Sequence, residues 1–156
     1  MDITVIGAAI IDILAGPVKK NIFETGSCPI ENTKMSFGGD ALNEAVILSK
    51  FGKKVQLVSK VGNDEAGSRV LDFIKENGLT DKYITVEDGL TTGMNVVLID
   101  EDGERSFLTN PNSSLRKLCK DDIMPYIDSF ADIVSFASIF VSPKLSVNDM
   151  DELFKV

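Results

Sequence analysis

The chain has 156 residues, 44% of them hydrophobic and 26% charged, the balance expected of one α/β domain with a substantial core. Its 16 basic and 24 acidic residues leave a net charge of −8, which argues against nucleic acid or an anionic membrane surface as a partner. Histidine is absent, which removes Ser-His-Asp hydrolysis, His-ligated zinc and imidazole acid–base chemistry; catalysis would have to run on carboxylates, lysine, cysteine or bound metal.

The N-terminus, Met1-Asp2-Ile3, lacks the basic flank of a signal peptide. No apolar stretch approaches the roughly 20 residues of a membrane span. Cys28 and Cys119 lie far apart in no metal-like spacing and read as reduced thiols of a cytoplasmic protein, with little support for a disulfide.

Ile3 to Gly7 is near-continuously apolar and fits a buried parallel strand. Ala8 to Leu14 continues extended, interrupted at Asp12. Asn32 to Phe37 alternates as a strand should. Ala41 to Phe51 carries Leu42, Ala45, Val46 and Leu48 at helical spacing and stops at Gly52. Val55 to Val61 reads as a strand, followed by a helix from Glu65 to Glu76 with Asp64 as its N-cap and Gly78 at its end. A short strand is expected near Tyr83 to Val86. Met94 to Asp100 and Glu104 to Thr109 then flank an Asp102-Gly103 turn as a hairpin. Apolar residues on both faces of the first hairpin strand predict that neither side is fully solvated. Asp121 to Phe130 is expected to be helical, Asp132 to Phe136 a strand, and Ser146 to Val156 a helix opened by a Ser146/Asp149 capping pair. Repeated βα units with an inserted hairpin predict helices covering a mostly parallel sheet.

The richest motif is Gly38-Gly39-Asp40-Ala41-Leu42-Asn43-Glu44-Ala45, between an alternating stretch and a helix. Paired glycines let backbone approach a ligand, and the helix start supplies free N–H groups and a positive dipole end. On the glycines alone, an ordinary strand-to-helix turn is an equal alternative. Taken with Gly52 and Gly62, the spacing of Gly38-Gly39, Asn43 and Ala45 resembles the first signature of the ribokinase-like (PfkB) carbohydrate kinases. The likeness extends from Val5-Ile6-Gly7 and Asp12 to Ser142-Pro143.

That resemblance implies a three-layer αβα fold with a Rossmann-like sheet and a small β-lid formed by strands around 12–15, 33–37 and 94–109. It implies that 1–156 is the N-terminal part of one kinase domain, with the chain appearing truncated: relatives run roughly twice this length, and the final helical pattern ends at Val156 without a cap. In the family, the nucleotide site, the glycine-rich anion hole and the catalytic aspartate lie in the second half. No Gly-Ala-Gly-Asp-like sequence or P-loop occurs here, so no catalytic residue is assigned and the fragment alone is expected to be inactive. The complete protein would use ATP and Mg²⁺ to phosphorylate a sugar or sugar-like hydroxyl, and would form a homodimer through the lid.

For substrate, the resemblance points to Asp12, Gly38, Gly39, Asn43 and Asn95. Asp12 sits among apolar neighbours, where a carboxylate needs hydrogen-bond donors such as sugar hydroxyls; a water-exposed strand end is the alternative. Asn43 could instead cap first-turn backbone groups. Thr92-Gly93 resembles the start of the lid segment, or is simply a turn. Arg105 could face an acidic group on a substrate, or be a solvated cross-strand partner. Asn110-Pro111-Asn112-Ser113 lacks the glycine of the family's corresponding stretch, and Asp100-Glu101-Asp102 reads as a solvated turn ahead of a metal site. A non-catalytic polyol- or nucleoside-binding module is the second reading. A dinucleotide-binding oxidoreductase domain is a third, disfavoured because Gly7-Ala8-Ala9-Ile10-Ile11-Asp12 is not G-x-G-x-x-G.

Overall fold

The computed structural model describes residues 1–154. In chain order the strands are β1 (Ile3–Ile6), β2 (Ile10–Val18), β3 (Asn32–Gly38), β4 (Val55–Gly62), β5 (Ile84–Glu87), β6 (Met94–Asp100), β7 (Arg105–Thr109) and β8 (Val134–Phe136). The α-helices are α1 (Asp40–Lys50), α2 (Glu65–Glu76), α3 (Lys120–Ile123) and α4 (Val147–Leu153).

One sheet runs β5-β4-β1-β8, with every pairing parallel. Every residue of β4 is buried, as a central parallel strand covered on both faces requires. Alternate residues feed two cores. Val5, Leu57 and Val61 pack with Leu42, Ala45 and Val46 of α1 and Val70 and Ile74 of α2. On the opposite face, Ile6 and Val58 pack with Leu118, Ile123, Met150 and Leu153. Each fully buried side chain of this size contributes about 1.5–3 kcal/mol through removal from water. On that second face Lys60 is buried, and its ammonium pairs with Glu87 at 2.6 Å and Asp122 at 3.0 Å, tying α3 to β4 and β5. The result is the α/β layered architecture the sequence predicts.

The second sheet runs β3-β2-β6-β7. Its β2–β3 and β6–β7 pairs are antiparallel, while β2 and β6, distant in sequence, pair in parallel. Helix α2 supports its base, where Phe37 stacks on Phe73 with ring centroids 4.1 Å apart.

Several details differ from expectation. Asp12 does not interrupt its strand: β2 runs through it, with Ser36 and Asn95 as its neighbours across the sheet. A polar side chain is tolerated there because that face borders a cleft. The 121–130 helix divides into α3 and a 3-10 segment, Met124–Ser129, because Pro125 has no N–H to continue the α-helical ladder and its ring crowds the preceding turn. As expected, neither face of strand β6 is fully solvated, though the two are unequal: Asn95 and Val97 are buried, whereas Met94 is 41% and Val96 37% exposed. Helix α2 packs with Phe37 and Ile11 at one end of the Phe37–Ile11–Met94 rung. The expected 146–156 helix begins as α4 after its Ser146 cap; Lys155 and Val156 lie outside the described residues.

Candidate functional site

A cleft of about 300 Å³ opens between the two sheets, with Ala8, Asp12, Gly39, Asn95, Arg116 and Ser138 in its walls. Ala8 follows β1 and Ser138 follows β8, adjacent parallel strands whose next α-helices, α1 and α4, pack against opposite faces of the sheet. Such a divergence beyond the carboxyl ends of parallel strands leaves a crevice where α/β proteins take ligands.

Asp12 and Asn95 face each other across the β2–β6 pairing. The Asn95 side-chain N–H₂ donates to Asp12 Oδ1 at 2.9 Å. Asn95 is only 7% exposed, yet its Oδ1 is buried with no hydrogen-bond partner among the described residues. A buried acceptor left this way costs about 1–3 kcal/mol, which a ligand donor such as a hydroxyl would offset. Asp12 Oδ2 lies beside Gly38, where a Cβ would overlap the carboxylate. Gly39 has φ +92° and is the N-cap of α1; a side chain there would also strike the Ala8 carbonyl.

The start of β6 is fixed from behind. The Thr92 hydroxyl donates to Asp64 Oδ1 at 2.6 Å, and the Thr92 N–H donates to Asp64 Oδ2 at 2.9 Å. Asp64 Oδ1 also accepts the Gly67 N–H at 2.7 Å, the N-cap bond of α2, and Thr92 Oγ1 accepts the Gly62 N–H at 2.9 Å. Burial alone would raise the Asp64 carboxyl, but its bonds from Thr92 and Gly67 outweigh that and hold it below the ordinary 3.8. One residue on, the Gly93 N–H donates to Ser114 Oγ at 2.9 Å, docking the 3-10 turn Ser114–Arg116 against the cleft.

A family comparison matches residues 1–156 to pfkB family carbohydrate kinase. The chain belongs to that family. It is 30% identical to probable fructokinase-4 of Arabidopsis thaliana over 103 residues, 66% of this chain and 30% of the relative. It is 34% identical to fructosamine kinase FrlD of Bacillus subtilis (strain 168) over 79 residues, 51% of this chain and 28% of that protein. The fold is similar to that of an uncharacterized sugar kinase from Pyrococcus horikoshii in complex with ATP, with a TM-score of 0.70 and 28% identity over 86% of this chain and 42% of that one. The chain thus spans well under two thirds of these relatives' lengths.

In this pfkB family chain, Asp12, Gly39 and Asn95 come together in the cleft walls, and Gly38 backs Asp12 from β3. Asn43 lies in the first turn of α1 and is exposed, outside the cleft walls; its N–H donates to the Gly39 carbonyl at 3.0 Å. Arg105 is exposed on β7, opposite Ile99 and four rungs from the Asn95–Thr109 pair. Asn112 is exposed in a turn closed by its N–H on Asn110 Oδ1, and Asp100 Oδ1 accepts the N–H groups of Asp102 and Glu104 across its own turn. Both cysteines are free thiols. Sequence reasoning missed Arg116 and Ser138. Ser138, at φ +56°, is the single non-glycine residue with positive φ among those described, and such conformations concentrate at functional sites. Neither residue type nor spacing signals that conformation in advance.

Proposed function

We propose that this chain is the substrate-holding and lid part of a carbohydrate kinase that transfers the ATP γ-phosphoryl group to a sugar or sugar-like hydroxyl. The observation that carries the reading is the Asp12–Asn95 pair: one carboxylate oxygen beside Gly38 and one buried, unpartnered amide oxygen border the same cleft. Two neighbouring hydroxyls of a polyol supply the two donors these acceptors lack. Gly39 forms the floor, and Gly38 backs the Asp12 carboxylate from β3. The β3-β2-β6-β7 sheet serves as the lid, aligning the acceptor and excluding water that would otherwise compete for the phosphoryl group.

Among the described residues, no group of three or more acidic or sulfur side chains is placed to hold a metal ion. The role assigned to this chain in the reaction is to bind and orient the acceptor, with no residue assigned to Mg²⁺ or to the ATP phosphates. No helix among the described residues is long and apolar enough to cross a membrane, and the reading places the protein in the cytoplasm. Its partner is a second copy meeting the open face of the lid sheet, where Met35, Val96 and Leu108 are exposed.

Calorimetric titration with a panel of sugars tests the assignment. Asp12→Ala is expected to weaken the best-bound sugar by about tenfold or more, the effect of losing a hydrogen bond to a charged group. Unchanged affinity in a folded variant overturns the role of Asp12.

A further inference from the structure

The cleft holds a cation that a neutral sugar does not explain. Arg116 ends the Ser114–Arg116 turn, whose position is fixed by the Ser114 N–H donating to the Thr91 carbonyl at 2.8 Å and by Ser114 Oγ accepting the Gly93 N–H. Its Nε is buried with no hydrogen-bond partner among the described residues, and its guanidinium forms no ion pair there, although Asp12 and Asp40 border the same cleft. A guanidinium keeps its charge at any working pH and presents a rigid planar fork of donors, a match for the paired oxygens of a carboxylate or phosphate. A buried donor of this kind left without an acceptor is costly. The cleft therefore carries two chemistries: the acceptors Asp12 Oδ2 and Asn95 Oδ1 for hydroxyls, and the Arg116 donors for an oxyanion.

We propose that Arg116 forms an oxyanion subsite, so that the preferred acceptor is an acidic sugar: a polyol bearing a carboxylate or phosphate away from the hydroxyls held by Asp12 and Asn95. The two anions share this chemistry, and matched ligands separate them. This inference rests on the sugar-binding reading above. Without Arg116, the carboxylates of Asp12 and Asp40 would repel such a ligand; with it, the charges within the cleft are complementary at close range, where screening is weakest.

The test titrates the chain with two matched pairs, D-gluconate against D-glucitol and fructose 6-phosphate against fructose. At least one anion is expected to bind tenfold or more tightly than its neutral counterpart; the pair showing the preference identifies carboxylate or phosphate as the preferred oxyanion. Arg116→Gln is expected to abolish the preference while leaving the neutral sugar's affinity within about threefold, and Arg116→Lys, which keeps the charge but not the fork, to retain part of it. Lys117→Gln, a neighbouring cation outside the cleft walls, is expected to change neither. Thermal melts establish folding, and Arg116→Lys decides the matter if Arg116→Gln does not fold. Equal binding within both pairs, equal losses for anion and neutral sugar in the Arg116 variants, or the same loss in Lys117→Gln overturns the subsite. If neutral sugars bind in an Asp12-dependent way with no anion preference, only this inference fails; if none of the four ligands binds, the sugar-binding reading fails with it.

Discussion

Replacing Asp64 with alanine tests whether the node behind the cleft acts as a unit. Losing the α2 N-cap costs about 1 kcal/mol by itself. Asp64 also accepts the hydroxyl and the N–H of Thr92, which is 1% exposed. In the alanine variant the hydroxyl retains Gly62, whose N–H it accepts at 2.9 Å, but the Thr92 N–H is left buried without an acceptor. An orphaned buried donor costs about 1–3 kcal/mol, so Asp64→Ala is expected to destabilise by about 2–4 kcal/mol in urea unfolding. Titration gives a second readout. The folded carboxyl lies below its ordinary 3.8, so its contribution to stability is present above the unfolded value and fades as pH falls through the lowered folded one. Asp64→Asn lacks this component, and its stability curve should be flatter on the acid side of pH 4, a window set by the unfolded carboxyl near about 3.9. A loss in Asp64→Ala no greater than the cap alone, or additive losses in an Asp64→Ala/Thr92→Val cycle, would refute the node.

Gly38→Ala places a methyl against the Asp12 carboxylate; sugar affinity should fall at least tenfold for a stability cost of about 1–3 kcal/mol, measured by calorimetry and thermal melts. Lys60→Met strands Asp122, 7% exposed at its side chain, and should cost about 3–5 kcal/mol; adding Asp122→Leu should recover only part of this, because Asp122 Oδ2 also accepts the Cys119 N–H at 2.9 Å at the start of α3. Burial lowers the Lys60 pKa but Glu87 and Asp122 raise it further, to above 10.5, so its contribution is complete below the unfolded value and lost only as pH climbs through the folded one. The Cys119 thiol, raised above its usual 9.0 by burial and then by the Asp122 carboxylate 3.2 Å away, should alkylate with iodoacetamide at pH 8 more slowly than Cys28, as followed by mass spectrometry; Asp122→Asn should speed it. Val96→Glu should shift sedimentation from dimer to monomer if the open lid face carries the self-association.

Local pattern made most of the fold legible. The apolar run at Ile3 to Gly7, the helical spacing of Leu42, Ala45 and Val46, and the Asp64 cap all operate within one element, where period and capping chemistry decide the outcome. The failures came where a non-local contact decided. Whether Asp12 breaks a strand depends on Asn95, 83 residues later, donating to it. The division at Pro125 is local in origin, its missing N–H ending the α-helical ladder that the sequence reading carries on from Asp121 to Phe130. At the candidate site, Asp12 and the glycine pair were visible as residue types. Arg116 was not, because its location follows from Ser114 docking on Gly93 rather than from any spacing.

What assembles the cleft is therefore the parallel register of β2 with β6. Asp12 stands opposite Asn95 and Ile11 opposite Met94, so a slip of one residue would turn the Asn95 amide to the open face and bring an apolar side chain to Asp12. The Asp64–Thr92 and Ser114–Gly93 bonds grip the two residues just before β6, where they oppose such a slip. The pairing irregularity between Ala15 and Val18 falls farther along the strands, past the Asp12–Asn95 rung. The register is thus held at the end of β6 that carries the polar pair and is irregular at the end that does not. Substitutions at Thr92 or Ser114 should accordingly disturb ligand binding through Asn95, even though neither residue has been assigned a ligand atom.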